Sequence, residues 1–160
     1  MQSYSHGEFQ VSGYKISTTN KDFQSRKDIG AAWTKFRTEN MADKIKGKTN
    51  PTVHCVYYNY TDAKDVNNRG YDMLIGFVTE KGAQTDPEIT TIVIPAQNYK
   101  YETVKGIMPI TVIDKWREIN KNAKIGKIQR TFGFDMDMYL EDGSVTVTVA
   151  VEGKEEKAEK

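Results

Sequence analysis

Aromatic side chains are the first residues of this chain whose number and spacing could do chemistry. The sequence holds nine tyrosines, six phenylalanines and two tryptophans. The tyrosines are concentrated in three segments: Tyr57, Tyr58 and Tyr60; Tyr71; and Tyr99 and Tyr101. Where water is excluded, each tyrosine or tryptophan ring attracts a cation by roughly 0.5 to 2 kcal/mol, so several rings around one cavity would bind a flat cationic molecule. Packing within a sheet explains the same clusters, because strands favour aromatic residues.

A pair of carboxylates within an apolar segment is the second candidate feature. Strict alternation along a strand over 132–139 places Gly133, Asp135, Asp137 and Tyr139 on one face and Phe132, Phe134, Met136 and Met138 on the other. A carboxylate at the base of an aromatic cleft would attract positive charge, more strongly in a low-dielectric environment. The same alternation also fits a strand whose polar face points into solvent.

Motifs for catalysis, metals and cofactors are lacking in the sequence. His6 and His54 are its only histidines and Cys55 is its only cysteine. Since His54 and Cys55 are neighbours on a predicted strand, their side chains diverge, which favours neither a metal cluster nor a Cys-His nucleophile. The sequence also has no glycine-rich phosphate loop and no dinucleotide-binding fingerprint. We predict no catalytic residue, no metal and no cofactor.

The charge balance argues against nucleic acid as a direct partner. Twenty-three Lys and Arg residues against twenty-two Asp and Glu residues give a net charge of +1, and no segment concentrates the positive charge that a phosphate-binding groove needs. No apolar run approaches the roughly 20 residues of a membrane span, and residues 1–10 lack the pattern of an export signal. We therefore expect no membrane partner and a cytoplasmic location.

Hydrophobic periodicity predicts a first series of elements that ends near residue 80. A half-buried strand over 7–19 precedes an amphipathic helix that runs from Asp28 to a point before Gly47. Two β-rich segments, 53–60 and 71–79, follow as a strand pair.

A second series repeats this order. An interrupted strand over 90–104 precedes a helix that begins near Pro109 and ends near Gly126. The strand pair 132–139 and 144–152 then surrounds a tight Asp-Gly turn.

The two series predict a duplicated α+β domain over residues 7–152. Each strand-helix-strand-strand unit, about 8–80 and about 90–152, has one tryptophan near the middle of its helix. Two such units, related by a pseudo-two-fold axis, would form antiparallel sheets with two main helices and leave a central cleft, which is a favoured position for a ligand. Residues 153–160 are predicted to be a charged, disordered tail.

Six short segments, in this order, resemble the GyrI-like family, which includes the effector-binding domains of multidrug-responsive transcription activators. The segments are WTKF at Trp33–Phe36, VYYNY at Val56–Tyr60, YDMLIG at Tyr71–Gly76, IPAQNY at Ile94–Tyr99, WREI at Trp116–Ile119 and MDMY at Met136–Tyr139. The similarity extends over nearly the whole chain, from about residue 9 to residue 151. Transcription-factor relatives join this domain to a helix-turn-helix module, whereas about eight residues precede the first predicted strand here. The chain therefore looks like the stand-alone members, including integron cassette proteins.

The resemblance implies that the chain binds small, lipophilic and often cationic aromatic compounds in its central cleft. By motif position, Tyr57, Tyr60 and Tyr71 look like the strand tyrosines of the family and Trp116 like its second-helix tryptophan. Asp137 stands where relatives usually carry glutamate, one methylene longer. The predicted ligand-binding set comprises Trp33, Tyr57, Tyr60, Tyr71, Trp116, Asp137 and Tyr139.

Two further functions are implied by stand-alone relatives. Some relatives hydrolyse strained electrophilic toxins with tyrosines and carboxylates, so Asp135 or Asp137 could activate water while a tyrosine donates a proton. Others interact with gyrase, so a protein partner, either gyrase or a separate transcription factor, is the remaining alternative.

Overall fold

Eight strands form one antiparallel sheet in the computed structural model of the chain, which describes residues 1–82 and 84–153. The strands are β1 (Gln2–His6), β2 (Phe9–Thr19), β3 (Val53–Thr61), β4 (Gly70–Thr79), β5 (Thr90–Ile94), β6 (Gln97–Val104), β7 (Asp135–Tyr139) and β8 (Val145–Val151). The α-helices of the described residues are α1 (Gln24–Thr38), α2 (Met41–Lys44) and α3 (Ile110–Lys124). The α+β class predicted from the sequence is confirmed.

The order of the strands shows the duplication. Across the sheet it is β1-β6-β8-β7-β3-β4-β2-β5. Outward from the boundary between β7 and β3, one side therefore reads β7, β8, β6 and the other reads β3, β4, β2. Since α1 lies between β2 and β3 in the chain, and α3 between β6 and β7, each half is the same strand-helix-strand-strand unit. The β3–β7 boundary, called the seam below, lies on the approximate two-fold axis.

Three local features differ from the predicted elements. β1 was not predicted, because Tyr4 is its one large apolar residue; the Tyr4 ring stacks on Tyr99 of β6, with centroids 5.1 Å apart. β5 pairs with β2 rather than with a strand of the second half. The single predicted first helix is divided into α1 and α2, because Asn40 adopts a left-handed conformation, with a φ of 50°, that interrupts the helix.

Both long helices pack on the same face of the sheet. α1 buries Ala32 and Phe36 against a cluster that includes Ile75 of β4. α3 buries Ile119 against a second cluster that includes Val147 of β8. Tyr139 of β7 packs against both clusters, so it bridges the two halves at the seam.

The opposite face of the sheet carries a core to which no described helix contributes. This core includes Val56 and Met136 from the two seam strands, Ile94 from β5 and Tyr99 from β6. β5 and β6 lie toward opposite ends of the strand order. The sheet must therefore curl for these residues to belong to one cluster. The curl brings the two ends of the sheet together on this face.

No helix among the described residues is long and apolar enough to cross a membrane. The cytoplasmic location expected from the sequence stays a prediction. Of the predicted tail, 153–160, all but Gly153 lies outside the described residues.

The packing of α3 can be tested with two substitutions on the same helix. Ile119 is fully buried and Ile113 is 45% exposed. We expect Ile119→Ala to lower the free energy of unfolding by about 2 to 5 kcal/mol, because it leaves a cavity against β8. Ile113→Ala should change it by less than about 0.5 kcal/mol. Urea unfolding followed by circular dichroism measures both, and equal losses would contradict this packing.

Candidate ligand-binding site

The predicted acid, Asp137, lies at the seam between the two halves. Its strand, β7, pairs with β3 so that Asp137 is directly opposite Cys55. Both side chains are fully buried on the face that carries α1 and α3. Because tyrosines follow two residues later on each strand, Tyr57 and Tyr139 point to the same face on either side of this pair.

Two neutral donors hold the Asp137 carboxylate. The Tyr57 hydroxyl donates to Oδ2 at 2.8 Å, and the Trp116 indole N–H donates to Oδ1 at 2.8 Å. Among the described residues, no Lys or Arg forms an ion pair with Asp137. The acid is therefore buried with hydrogen-bond partners but without a counter-charge.

Burial raises the pKa of Asp137 from its ordinary 3.8 to about 7, because desolvation disfavours the charged form and the charge of Asp135 adds to that effect. The hydrogen bonds from Trp116 and Tyr57 act in the opposite direction and are outweighed. Burial likewise raises the pKa of Tyr57 well above its ordinary value. Asp137 thus changes its charge near neutral pH, whereas Tyr57 keeps its proton.

Each tryptophan crosses the seam to pack against the other half. Trp33 of α1 contacts Tyr139 of β7 edge-on, with ring centroids 5.0 Å apart and planes at 71°. Trp116 of α3 contacts Tyr57 of β3 in the same way, at 5.9 Å and 77°. The two contacts are equivalent under the approximate two-fold axis and flank the Cys55–Asp137 pair.

A bulge in β3 brings a third tyrosine to this face. Tyr57 and Tyr60 would point to opposite faces of a regular strand, but the register shifts between Tyr58 and Thr61, where Asn59 has a φ of 54°. Tyr60 therefore lies 6.0 Å from Tyr71, whose ring is also 6.0 Å from Tyr57. The rings of Trp116, Tyr57, Tyr71 and Tyr60 thus form a continuous wall.

Asp135 is held very differently from Asp137, although it lies only two residues away on the same face. Arg130 donates to Oδ2 at 2.7 Å and the Tyr60 hydroxyl donates to the same oxygen at 2.6 Å. The backbone N–H of Ala150 donates to Oδ1 at 2.7 Å. These three donors occupy both oxygens of the fully buried Asp135, and Arg130 supplies its counter-charge.

A second buried arginine lies beside this pair. Arg69 and Arg130 both donate to Oδ1 of Asn120 on α3, at 3.1 and 2.9 Å. Both guanidinium groups lie over the ring of Phe132, at 5.3 and 4.4 Å from its centroid. We call Arg69, Arg130 and Asn120 the arginine cluster. Sequence reasoning missed it, since arginines are usually exposed; the acid Asp135 on the face of Asp137 was its one signal.

The structure corrects two expectations about residues 132–139. The solvent-facing alternative is wrong for Asp135 and Asp137, because both are fully buried. The predicted face of Phe132 is also wrong. β7 begins only at Asp135, and the left-handed φ of 55° at Phe132 turns its ring toward Tyr60, 5.6 Å away.

The structure brings all seven predicted ligand-binding residues to one face around the seam, but it covers the acid. The rings are half-buried and Asp137 is not exposed. A ligand can therefore reach the carboxylate only if side chains around it move. Two surface depressions lie elsewhere: one of about 330 Å³ beside Ser5 and Asn98, and one of about 340 Å³ beside Tyr14 and Lys35. The ligand-binding role of the seven residues stays a prediction.

The fold is shared with several solved structures. An integron cassette protein of Vibrio cholerae, VCH_CASS2, is 24% identical with a TM-score of 0.74, over 94% of this chain and 95% of its own. SAV2435, bound to tetraphenylphosphonium, is 14% identical with a TM-score of 0.77, over 95% and 93%. The C-terminal domain of EcmrR is 12% identical with a TM-score of 0.63, over 96% and 97%. These likenesses confirm the GyrI-like fold.

The sequence defines the family more closely. The model of the Cass2 family, described as integron-associated effector binding protein, matches residues 6–152. The chain belongs to this effector-binding family, which confirms the resemblance seen in its sequence. A search of curated protein sequences found no significant match.

The buried acid predicts an unusual dependence of stability on pH. Since the pKa of Asp137 is raised in the folded state, its contribution to stability is complete below pH 4 and is lost as pH rises through about 7. Asp137→Asn cannot ionise, so its stability relative to the natural chain should increase by about 1 kcal/mol or more between pH 5 and pH 8. Urea unfolding at both values measures this change. Glu141→Gln, at an exposed turn, is the control, and equal pH profiles for Asp137→Asn and the natural chain would contradict the assignment.

Proposed function

We propose that this protein binds small, lipophilic, cationic aromatic compounds at the seam, with Asp137 as the counter-charge and the surrounding rings as the wall. The observation that carries the proposal is a carboxylate that Trp116 and Tyr57 hold and that has no cationic partner in the part of the chain that the structure describes. Natural proteins rarely bury a charge without pairing it. A cationic ligand would supply the missing partner.

The aromatic wall supports the same class of ligand. Trp116 and Tyr57 meet edge-on and are only partly buried, so they offer aromatic surface to a flat guest. Each ring face adds cation–π attraction to the charge of Asp137. SAV2435, which shares the fold, is bound to tetraphenylphosphonium, a lipophilic aromatic cation, so this compound is a suitable first probe.

Hydrolysis of a reactive electrophile is a second candidate, favoured by the raised pKa of Asp137. A carboxylate whose pKa is about 7 is well suited to accept a proton at neutral pH. Asp137 would take a proton from water, and the water oxygen would bond to a carbon of a strained ring as the bond from that carbon to the ring oxygen breaks. The ring oxygen would take the proton of Tyr57, and the proton on Asp137 would then return to Tyr57 through their hydrogen bond. The protein partner implied by the resemblance stays a prediction.

Titration with tetraphenylphosphonium tests the binding proposal. We expect saturable quenching of tryptophan fluorescence, because Trp116 contacts the acid directly. Asp137→Asn should weaken binding by about tenfold or more, since it removes the counter-charge without changing the shape of the side chain. Glu141→Gln, which removes one exposed negative charge nearby, should leave the affinity unchanged.

The pH dependence of this titration provides an internal check. A bound cation favours the ionised form of Asp137, so affinity should rise roughly tenfold between pH 6 and pH 8 in the natural chain and stay flat in Asp137→Asn. Absence of binding by tetraphenylphosphonium and by other aromatic cations would refute the proposal.

Incubation with an aromatic epoxide such as styrene oxide tests the second candidate. Hydrolysis would give the diol faster than buffer alone, and Asp137→Asn should abolish the difference. Chromatography of the products measures both rates. If diol forms at the rate of the buffer control, the hydrolase candidate should be abandoned.

A further inference from the structure

The arginine cluster contains more positive charge than the described residues neutralise. Arg130 forms an ion pair with Asp135. Arg69 is only 7% exposed, yet its hydrogen bonds go to neutral oxygens: Nε donates to the carbonyl of Ala63 at 2.7 Å, and Nη1 donates to Asn120. Among residues 1–82 and 84–153, no carboxylate pairs with Arg69. Two buried guanidinium groups therefore share one carboxylate.

Donor groups of the cluster are also left without acceptors. The Arg130 Nε is buried and has no hydrogen-bond partner within the described part of the chain. Arg69 Nη2 donates to none of the described residues and keeps some contact with solvent. Burial and the charge of Arg130 lower the pKa of Arg69, which is the expected consequence of holding two like charges together.

The aromatic rings of the cluster do not remove this imbalance. Arg69 lies 5.3 Å from the centroid of Phe132 and 5.9 Å from that of Tyr60. Such contacts contribute attraction of the order of 1 kcal/mol, but a neutral ring cannot cancel a net charge. The contact with Ala63 orders the loop before β4, and it too is neutral.

We propose that the arginine cluster is a subsite for a carboxylate group of the ligand, so that the ligand is an aromatic zwitterion rather than a simple cation. A planar carboxylate matches the fork of a guanidinium group and would supply the missing negative charge. This inference rests on the binding function proposed above and specifies the ligand of that same site.

The two subsites are close enough together for one small molecule to contact both once the side chains that cover Asp137 move. Asp135, which is paired with the cluster, and Asp137 lie two residues apart on β7 and on the same face, a separation of about 7 Å along a strand. Trp116 connects the two positions, because its N–H binds Asp137 while its ring lies 5.7 Å from the Arg130 guanidinium. An aromatic body lying along this wall would place its cationic end at Asp137 and its carboxylate at Arg69.

Rhodamine B and its ethyl ester are a matched pair of probes for this subsite. Both carry the same cationic ring system, but only rhodamine B has a free carboxylate. If Asp137 were the only charged group of the site, the ester would bind more tightly, because it carries the greater positive charge. We expect the natural chain to bind rhodamine B about tenfold more tightly than the ester, as measured by fluorescence anisotropy at neutral pH.

Two arginine substitutions test whether Arg69 causes the preference for rhodamine B over its ester. Arg69→Gln should bring the ratio of the two dissociation constants close to one or below, while the affinity for the ester changes little. Arg117→Gln, which removes a positive charge from the exposed surface of α3, should leave the ratio unchanged. Circular dichroism confirms that each variant is folded, and the ratio in the natural chain tests the proposal even if Arg69→Gln does not fold.

The possible results distinguish a failure of the carboxylate subsite from a failure of the cation binding on which it rests. Equal binding of the two dyes, or tighter binding of the ester, by the natural chain would overturn the carboxylate subsite and leave cation binding intact. A preference for rhodamine B that persists in Arg69→Gln would also overturn it. If neither dye nor tetraphenylphosphonium binds, the proposed function fails and the subsite fails with it.

Discussion

The antiparallel pairing of β3 with β7 positions Asp137 and the aromatic rings beside it. Because this register sets Cys55 opposite Asp137, it places Tyr57 and Tyr139 on the helix-bearing face, where the tryptophans of α3 and α1 meet them. A slip of one residue would turn Asp137 toward the opposite core, since side chains alternate between faces. The burial of apolar residues on both faces of the sheet prevents such a slip. The register therefore holds the acid in place before any ligand is present.

Two buried carboxylates on one strand have been accommodated in different ways. Asp135 has a complete set of partners, including Arg130, and it joins β3, β7 and β8 into a rigid unit. Asp137 has two neutral donors and, among residues 1–82 and 84–153, no counter-charge, so ionisation is costly and its pKa is raised. The arrangement around Asp135 stabilises the sheet. The arrangement around Asp137 leaves a group whose charge state can respond to a change in its surroundings, as expected of a functional residue.

Duplication gives the two halves the same arrangement. The site is nevertheless asymmetric, because one pair of equivalent positions holds two different residues, Cys55 and Asp137. Trp33 with Tyr139 and Trp116 with Tyr57 are equivalent contacts, but the paired positions between them hold a thiol and a carboxyl group. Burial raises the pKa of Cys55, which keeps the thiol neutral. Two acids in these positions would repel each other strongly in a buried environment. The arginine cluster adds to the asymmetry, because it lies on one side of the axis only. A ligand bound at the seam is thus expected to have a single orientation.

The sequence by itself determined the order of the elements, the duplication, the family and the seven candidate residues around the seam, because strand and helix periodicity and the short motifs are local properties of the chain. It did not predict β1, which depends on distant Tyr99, or the bulge at Asn59, which brings Tyr60 to the face of Tyr57. The burial of Arg69 beside Arg130 was equally hidden, since each appears in the sequence as an ordinary charged residue near a loop. Only the tertiary structure decided these features, because pairing between remote strands selects which polar groups lose their water and which partners replace it.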